Sequence, residues 1–379
     1  NPFGLLRWSS KWLFSDMKLA LAGMLPKSGA AQAQYFELNA RRVGEALGLT
    51  LVKINGVLTL PDLYDTVLLL IEGGKPWLDF AWEMHISGIL LCKSVEAEID
   101  AAREDSSGGW KGILGELQKA LSCLSDPILY ESLSPPFGAS LEDPCSEAQA
   151  YQFYLMCPPE MIEGWAPIIK SIFAAAKTLK GRHPASPRQT WIIDEAARLK
   201  GFEDVVQLFT DGAGMGIRPI AVFQDVTQMN DLAPHGLRKI SSSAALQIYF
   251  GIRDYETAKR VSDMLGSETL CFNDPLAQSR AEVQLRKSVW SVLTGAGPIL
   301  SAAEIDQHAY ETRHLTLQHR KLRTPAEVLN MHPRGMFVFA DGLSRPLYGA
   351  REPYWEQEWM AGRYHPNPYH PPLDRVPVK

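Results

Sequence analysis

Through the first 140 residues the apolar positions recur at helical spacing. Residues 15–25 set Met17, Leu19, Leu21, Met24 and Leu25 on a short amphipathic helix, and residues 29–55 repeat the pattern with Phe36, Leu38, Val43, Leu47, Leu51 and Ile54. Pro61 opens the run PDLYDTVLLLIE, where a first-turn proline forfeits no intrahelical bond, and Gly73-Gly74 ends it. Residues 77–103 read as one further helix and residues 111–124 as another. Helices joined by short Gly/Pro/Ser breaks are the pattern of an all-α domain.

After Pro144 the period changes. Residues 148–159 (AQAYQFYLMCPP) read as a strand, 166–180 as a helix and 181–188 as a basic loop. The stretch 190–228 (TWIIDEAARLKGFEDVVQLFTDGAGMGIRPIAVFQDVTQ) then reads as strand, helix, strand and the start of another helix. A strand at 244–250 and a helix at 254–265, stopped by Gly266, follow. Residues 273–312 are less regular. Beyond them come a strand at 314–320, a helix at 324–329 opened by Thr-Pro-Ala-Glu, and a last core strand at 335–340. Strand alternating with helix predicts a parallel sheet covered on both faces. The expected division is 1–28 as an N-terminal part of the core, 29–140 as the all-α domain, 141–350 as the main core and 351–379 as a Pro- and aromatic-rich tail.

Composition is that of an ordinary globular protein, and a net charge of −5 sets up no global basic field for nucleic acid. The charge is uneven. Positions 56–150 hold 16 Asp/Glu against 5 Lys/Arg, a local balance of −11. That region reads as a solvated helical surface or as a face for a basic protein, and not as a grip for DNA phosphates. Five scattered cysteines without C-x-x-C spacing suggest neither a zinc site nor a disulfide framework, and a reducing cytoplasm is the simplest compartment. No apolar run approaches the roughly 20 residues of a membrane span. The chain starts Asn1-Pro2 without Met, which reads as a fragment or a processed product.

The chemistry gathers at two strand ends. TWIID ends on Asp194 and is followed at once by Glu195. In P-loop ATPases an Asp at this place holds magnesium and a following Glu polarises the attacking water. The other reading is that Asp194 caps a helix starting at Ala196. IAVFQ ends on Gln224, which an intervening helix would bring beside Asp194 and Glu195. There its amide could bond a γ-phosphate or the attacking water, or merely satisfy a loop. No G-x-x-x-x-G-K-[ST] occurs; Gly73-Gly74-Lys75 is followed by Pro76 and lies among helices. The chain alone is therefore expected to bind ATP poorly, with the phosphate loop expected before Asn1. Arg313, His319, Arg320, Lys321 and Arg323 form a basic cluster that reads as a channel lining or as a solvated edge.

The run WIIDEAARLKGFEDVVQLFTDGAGMGIRPIAVFQDVTQM resembles the Walker B and following glutamine segments of TraG/TraD-like type IV secretion coupling proteins. YFGIRDYETAKRVSDMLG (249–266) is similar to the family's Phe-Gly and Asp-x-x-Thr-Ala strand and helix. HRKLRTPAEVLNMHPRGMFVFADGLSRPLY (319–348) resembles its closing segment, and NPFGLL the Asn-Pro segment after its phosphate loop. The resemblance implies an α/β fold: a RecA-like P-loop NTPase core with a mainly parallel sheet and an inserted all-α domain. It implies a homo-hexameric ATPase using ATP and Mg2+. Its place would be the cytoplasmic face of the bacterial inner membrane, held by an anchor preceding Asn1. Its work would be to deliver a DNA substrate with its relaxase or relaxosome, or an effector protein, to type IV secretion channel components. The cargo would be taken up through the acidic all-α domain.

The resemblance assigns Asp194 to the magnesium, Glu195 to catalysis and Gln224 to coupling, all three at the nucleotide. Members often carry an Arg five residues before the position of Arg218, acting on a neighbour's nucleotide; here that position is Ala213. Arg218 or another basic residue takes over, or hydrolysis is weakened; Arg218 reads equally as a structural residue on a strand edge. Two alternatives stand beside this reading. An FtsK/HerA-like DNA pump shares the strand-end chemistry but needs no acidic helical insert. A non-catalytic adaptor keeping the fold has Ala213 as its hint.

Overall fold

The computed structural model describes residues 1–25, 31–104, 109–146, 150–272, 275–295, 301–313 and 316–364. They form two compact units, one of the described residues within 1–224 and 228–243, the other of 225–227 and the described residues from 244 to 364.

The first unit begins with α1 (Leu13–Met24), α2 (Ala31–Asn55), α3 (Leu60–Glu72), α4 (Gly74–Ile86), α5 (Leu90–Glu104), α6 (Gly109–Leu121) and α7 (Pro127–Ser132). Thr59 caps α3, its Oγ1 accepting from the Asp62 amide at 3.1 Å, with Pro61 in the first turn as its sequence position predicts. The single helix expected over 77–103 is two. Gly88 breaks it with φ 71°, a left-handed conformation that glycine takes without steric cost. The apolar period hides this break because both halves feed one core: Trp77, Ala81 and Met84 before it, Cys92, Val95 and Ile99 after it, are all buried. That core also takes Phe3 and Leu6, Met17 and Leu21 of α1, and Ile168, Ala175 and Leu179 of α8 (Ile162–Arg182). Gly48 lets α1 lie close to α2, since a Cβ there would stand 2.8 Å from the Met17 sulfur.

A second core of the same unit lies under a parallel pair, β1 (Gln189–Ile193) and β2 (Ile217–Ala221), joined by α9 (Glu203–Met215). Parallel neighbours need such a crossover. Lys180, fully buried near the end of α8, donates to Ser186 Oγ at 2.7 Å and to the Ser186 carbonyl at 3.1 Å. A lysine is tolerated there because these oxygens replace its water, and the bonds pin the turn leading into β1. α10 (Met229–Leu232) and α11 (Gly236–Ser243) complete the unit.

The second unit holds β3 (Leu246–Phe250), α12 (Tyr255–Leu265), β4 (Ser267–Phe272), α13 (Pro275–Leu293), α14 (Ser301–Arg313), β5 (Thr316–Lys321), α15 (Pro325–Leu329), β6 (Gly335–Ala340) and β7 (Leu347–Ala350). β3–β6–β7 is an antiparallel sheet, and β4–β5 an antiparallel ribbon carrying α13 and α14 between its strands.

Several expectations are corrected. Parallel pairing is confined, among the described strands, to β1–β2, and the other pairs are antiparallel. One face of β1–β2 is open, with Ile192 69%, Ile220 49% and Val222 42% exposed. No strand forms over 150–158, where Phe153, Tyr154, Leu155 and Met156 are exposed; residues 147–149 lie outside the described residues. Apolar alternation supplies a strand's face, but a strand exists only where a neighbour accepts its hydrogen bonds. The irregular stretch 273–312 contains two packed helices, α13 and α14. Along α13, Arg280, Glu282, Arg286 and Lys287 interleave with Val283, Val289 and Trp290, which blurs any apolar face. In the tail, Arg334 holds Glu356 through two bonds of 2.9 and 2.8 Å, while residues from 365 lie outside the described residues.

Candidate functional site at the ends of β1 and β2

The parallel register pairs Gln189 with Ile217 and Ile193 with Ala221. It continues past the strands. The Ile193 carbonyl accepts from the Val222 amide at 3.0 Å, and the Val222 carbonyl accepts from the Ala196 amide at 3.2 Å. Residues 194–196 therefore lie beside Val222, two residues before Gln224, at the carboxyl end of the pair, where a parallel sheet presents its ligands. Alternation puts Asp194 and Gln224 on the exposed face, in line with Ile192 and with Ile220 and Val222.

Asp194 is exposed, and its Oδ1 accepts from the Glu195 amide at 3.1 Å. The helix-cap alternative does not hold. A 3-10 turn covers Ala196–Arg198 without a side-chain cap, and α9 starts only at Glu203. Glu195 sits at φ 50°, ψ 44°, left-handed backbone that a non-glycine residue adopts at a cost. Its Oε2 lies 2.6 Å from Nε of Arg198, whose Nη1 donates to the Pro159 carbonyl at 3.0 Å. The Gln224 amide donates to Gln228 Oε1 at 2.9 Å, which shapes the turn after β2 and leaves Gln224 exposed.

Arg218 is not brought to this end. It pairs with Thr190 in the register, four residues before Asp194 on the neighbouring strand. At about 3.3 Å per residue that is roughly 13 Å along the sheet. Ala213 is exposed in the last turn of α9. Sequence reasoning missed Arg198. Its signal was the spacing Glu195-x-x-Arg198, one turn on, which acquires meaning only once the turn is seen to fold back on the strand end.

Among the described residues no three His, Cys, Asp or Glu side chains gather as a metal site. A magnesium ion needs no such cage, since one or two carboxylates, water and phosphate oxygens suffice. An exposed Asp194 at a strand end fits that donor set. The sequence offers no glycine-rich phosphate loop with its lysine. Among the described residues no helix is long and apolar enough to cross a membrane.

Residues 188–333, which include Asp194, Glu195, Arg198, Arg218 and Gln224, match the family model described as "TraM recognition site of TraD and TraG". No curated protein matches the chain in sequence. Among solved structures, the unbound form of the bacterial conjugative coupling protein TrwBdeltaN70 is similar at 16% identity and a TM-score of 0.60, over 93% of this chain and 73% of that one. The plasmid coupling protein TrwB in complex with ADP and Mg2+ is similar at 16% identity and a TM-score of 0.59, over 89% of this chain and 68% of that one. TrwB bound to the ATP analogue ADPNP gives the same values. The segment 188–333 is thus similar to the corresponding part of TraD and TraG, and the fold is similar to that of a conjugative coupling protein.

Proposed function

We propose that the chain is the ATPase portion of a type IV secretion coupling protein, which delivers DNA–relaxase or protein cargo to the secretion channel. The observation that supports this reading is the ladder through Val222, which brings residues 194–196 beside Val222, two residues before Gln224, inside the matched segment. Asp194 would hold Mg2+ directly or through water, Glu195 would polarise the attacking water, and Gln224 would bond that water or the terminal phosphate. The bound ion would neutralise charge on the phosphates. That the similar TrwB has been seen with ADP and Mg2+ supports ATP and Mg2+ as the ligands.

Arg218 is too far along the sheet to serve its own protomer's strand end. Its exposure suits a role on a neighbour's nucleotide in a hexamer. The family description supports a relaxosome partner, and it falls within 188–333. The acidic surface of residues 29–140 is a second face, suited to a basic relaxase or effector. The body would then work at the cytoplasmic face of the inner membrane. The decisive test is magnesium-dependent ATP hydrolysis by the protein expressed from its complete coding sequence. Glu195→Gln is expected to abolish turnover, since such a group contributes about 10²–10⁴-fold. Wild-type rates in that variant would sink the role given to Glu195.

A further inference from the structure

We infer that Arg198 is a positioning residue that holds Glu195 back from the attacking water and ties that restraint to the turn at Pro159. The inference rests on the role given to Glu195 above. One guanidinium makes both contacts: Nε lies 2.6 Å from Glu195 Oε2, and Nη1 donates to the Pro159 carbonyl at 3.0 Å. Both side chains are more than 40% exposed, and an exposed pair of this kind adds little to stability. Its significance lies in what it connects.

The turn that carries both residues is anchored on the strand end. Ala196 is fully buried and its amide bonds the Val222 carbonyl, two residues before Gln224. Arg198 therefore cannot drift away with a loose loop; it is presented to Glu195 by the same ladder that forms the site. Its other partner, Pro159, opens the 3-10 turn Pro159–Met161 that leads directly into α8. Upstream of that turn runs the exposed, unpaired segment 150–158.

A carboxylate oxygen held by a guanidinium at 2.6 Å has its lone pair directed at that donor and not at a water. Glu195 reaches a water only when Arg198 lets go. A shift of the Pro159 carbonyl removes one of the bonds that orient the guanidinium and so loosens the restraint. Displacement at the start of α8 thereby becomes a change in the availability of Glu195, a mechanical input to the chemical step.

The test measures steady-state ATPase kinetics of the protein from its complete coding sequence. Alongside them go ADP affinity and amide hydrogen exchange at residues 160–163, for Arg198→Ala and Arg198→Lys. Arg198→Ala is expected to raise kcat without cargo about five-fold, the range that loss of one exposed ion pair allows, with ADP affinity unchanged and exchange at 160–163 accelerated. Arg198→Lys keeps the charge and should return kcat most of the way to wild type. It cannot hold Pro159 in the same geometry, so exchange should stay fast. A lowered or unchanged kcat in a folded Arg198→Ala protein, or unchanged exchange at 160–163, overturns the inference. Full activity of Glu195→Gln would instead overturn the role of Glu195, so the two failures are distinguishable.

Discussion

The Ile193 carbonyl accepts the Val222 amide at 3.0 Å, one step beyond the last paired residues of β1 and β2. This bond ties the two strand ends together, and under the proposed function their side chains should act together. Asp194→Asn is expected to weaken magnesium-dependent ADP binding about ten-fold or more, while Gln224→Ala lowers kcat with binding nearly intact. Their effects on kcat/KM should be non-additive by about 0.5–3 kcal/mol, as for groups sharing one network. Calorimetric titration and a double-mutant cycle check this; strict additivity would separate the two residues.

Asp16 of α1 has a fully buried side chain, gripped by both terminal nitrogens of Arg182 at the end of α8. Hydrogen bonding to Asp16 raises the Arg182 pKa above its ordinary value, so the guanidinium keeps its charge. Removing one partner of a buried pair costs about 3–5 kcal/mol. Arg182 keeps 28% exposure and lies over the Trp12 ring, so Asp16→Ala should fall at the low end, about 3 kcal/mol, in urea unfolding. A loss below about 1 kcal/mol would mark it as an ordinary surface pair.

Gly216 ends α9 at φ 76°, and a Cβ there would lie 3.2 Å from the buried Lys180 Nζ. Gly214, two residues earlier within the helix, meets nothing within 4 Å. Gly216→Ala should destabilise by about 1–2 kcal/mol, the cost of left-handed backbone. Gly214→Ala should stabilise by roughly 0.5–1 kcal/mol through helix propensity. Thermal unfolding of the two variants gives opposite shifts if the backbone assignment holds.

At the start of α15, Thr324 and Glu327 form a reciprocal capping box. The Thr324 amide, donating to Glu327 Oε2 at 2.8 Å, is the main cause that holds this carboxyl below its ordinary range, with Arg320 adding to it. A depressed pKa means stabilisation that is complete above the unfolded value, roughly 4.3, and is lost as pH falls through the folded one. The Tm gap between wild type and Glu327→Ala should hold constant above about pH 5 and close in more acid solution. A gap that widens on acidification contradicts the box.

Much of this was legible in the residues. The helices of the first 140 positions follow from apolar periodicity, and Thr59-Leu60-Pro61 and Thr324-Pro325 announce helix starts through cap and proline chemistry. Asp194, Glu195 and Gln224 stood out because two successive apolar strands both end on polar residues suited to phosphate chemistry. The pairing of the strands that carry them followed from the parallel arrangement that a strand-helix-strand unit requires. The break at Gly88 and the helices α13 and α14 did not stand out. A period shows which positions meet a core, but not whether the backbone between them is continuous.

The sequence by itself determined the local elements and the chemistry they carry, because caps, periods and side-chain types act over a few residues. Only the tertiary structure decided that the other strand pairs run antiparallel, that 150–158 finds no neighbour, and that Arg218 lies at the far end of β2. It alone brought Arg198 between Glu195 and Pro159. Those outcomes depend on hydrogen-bond partners and charges distant in the chain, which local pattern cannot specify.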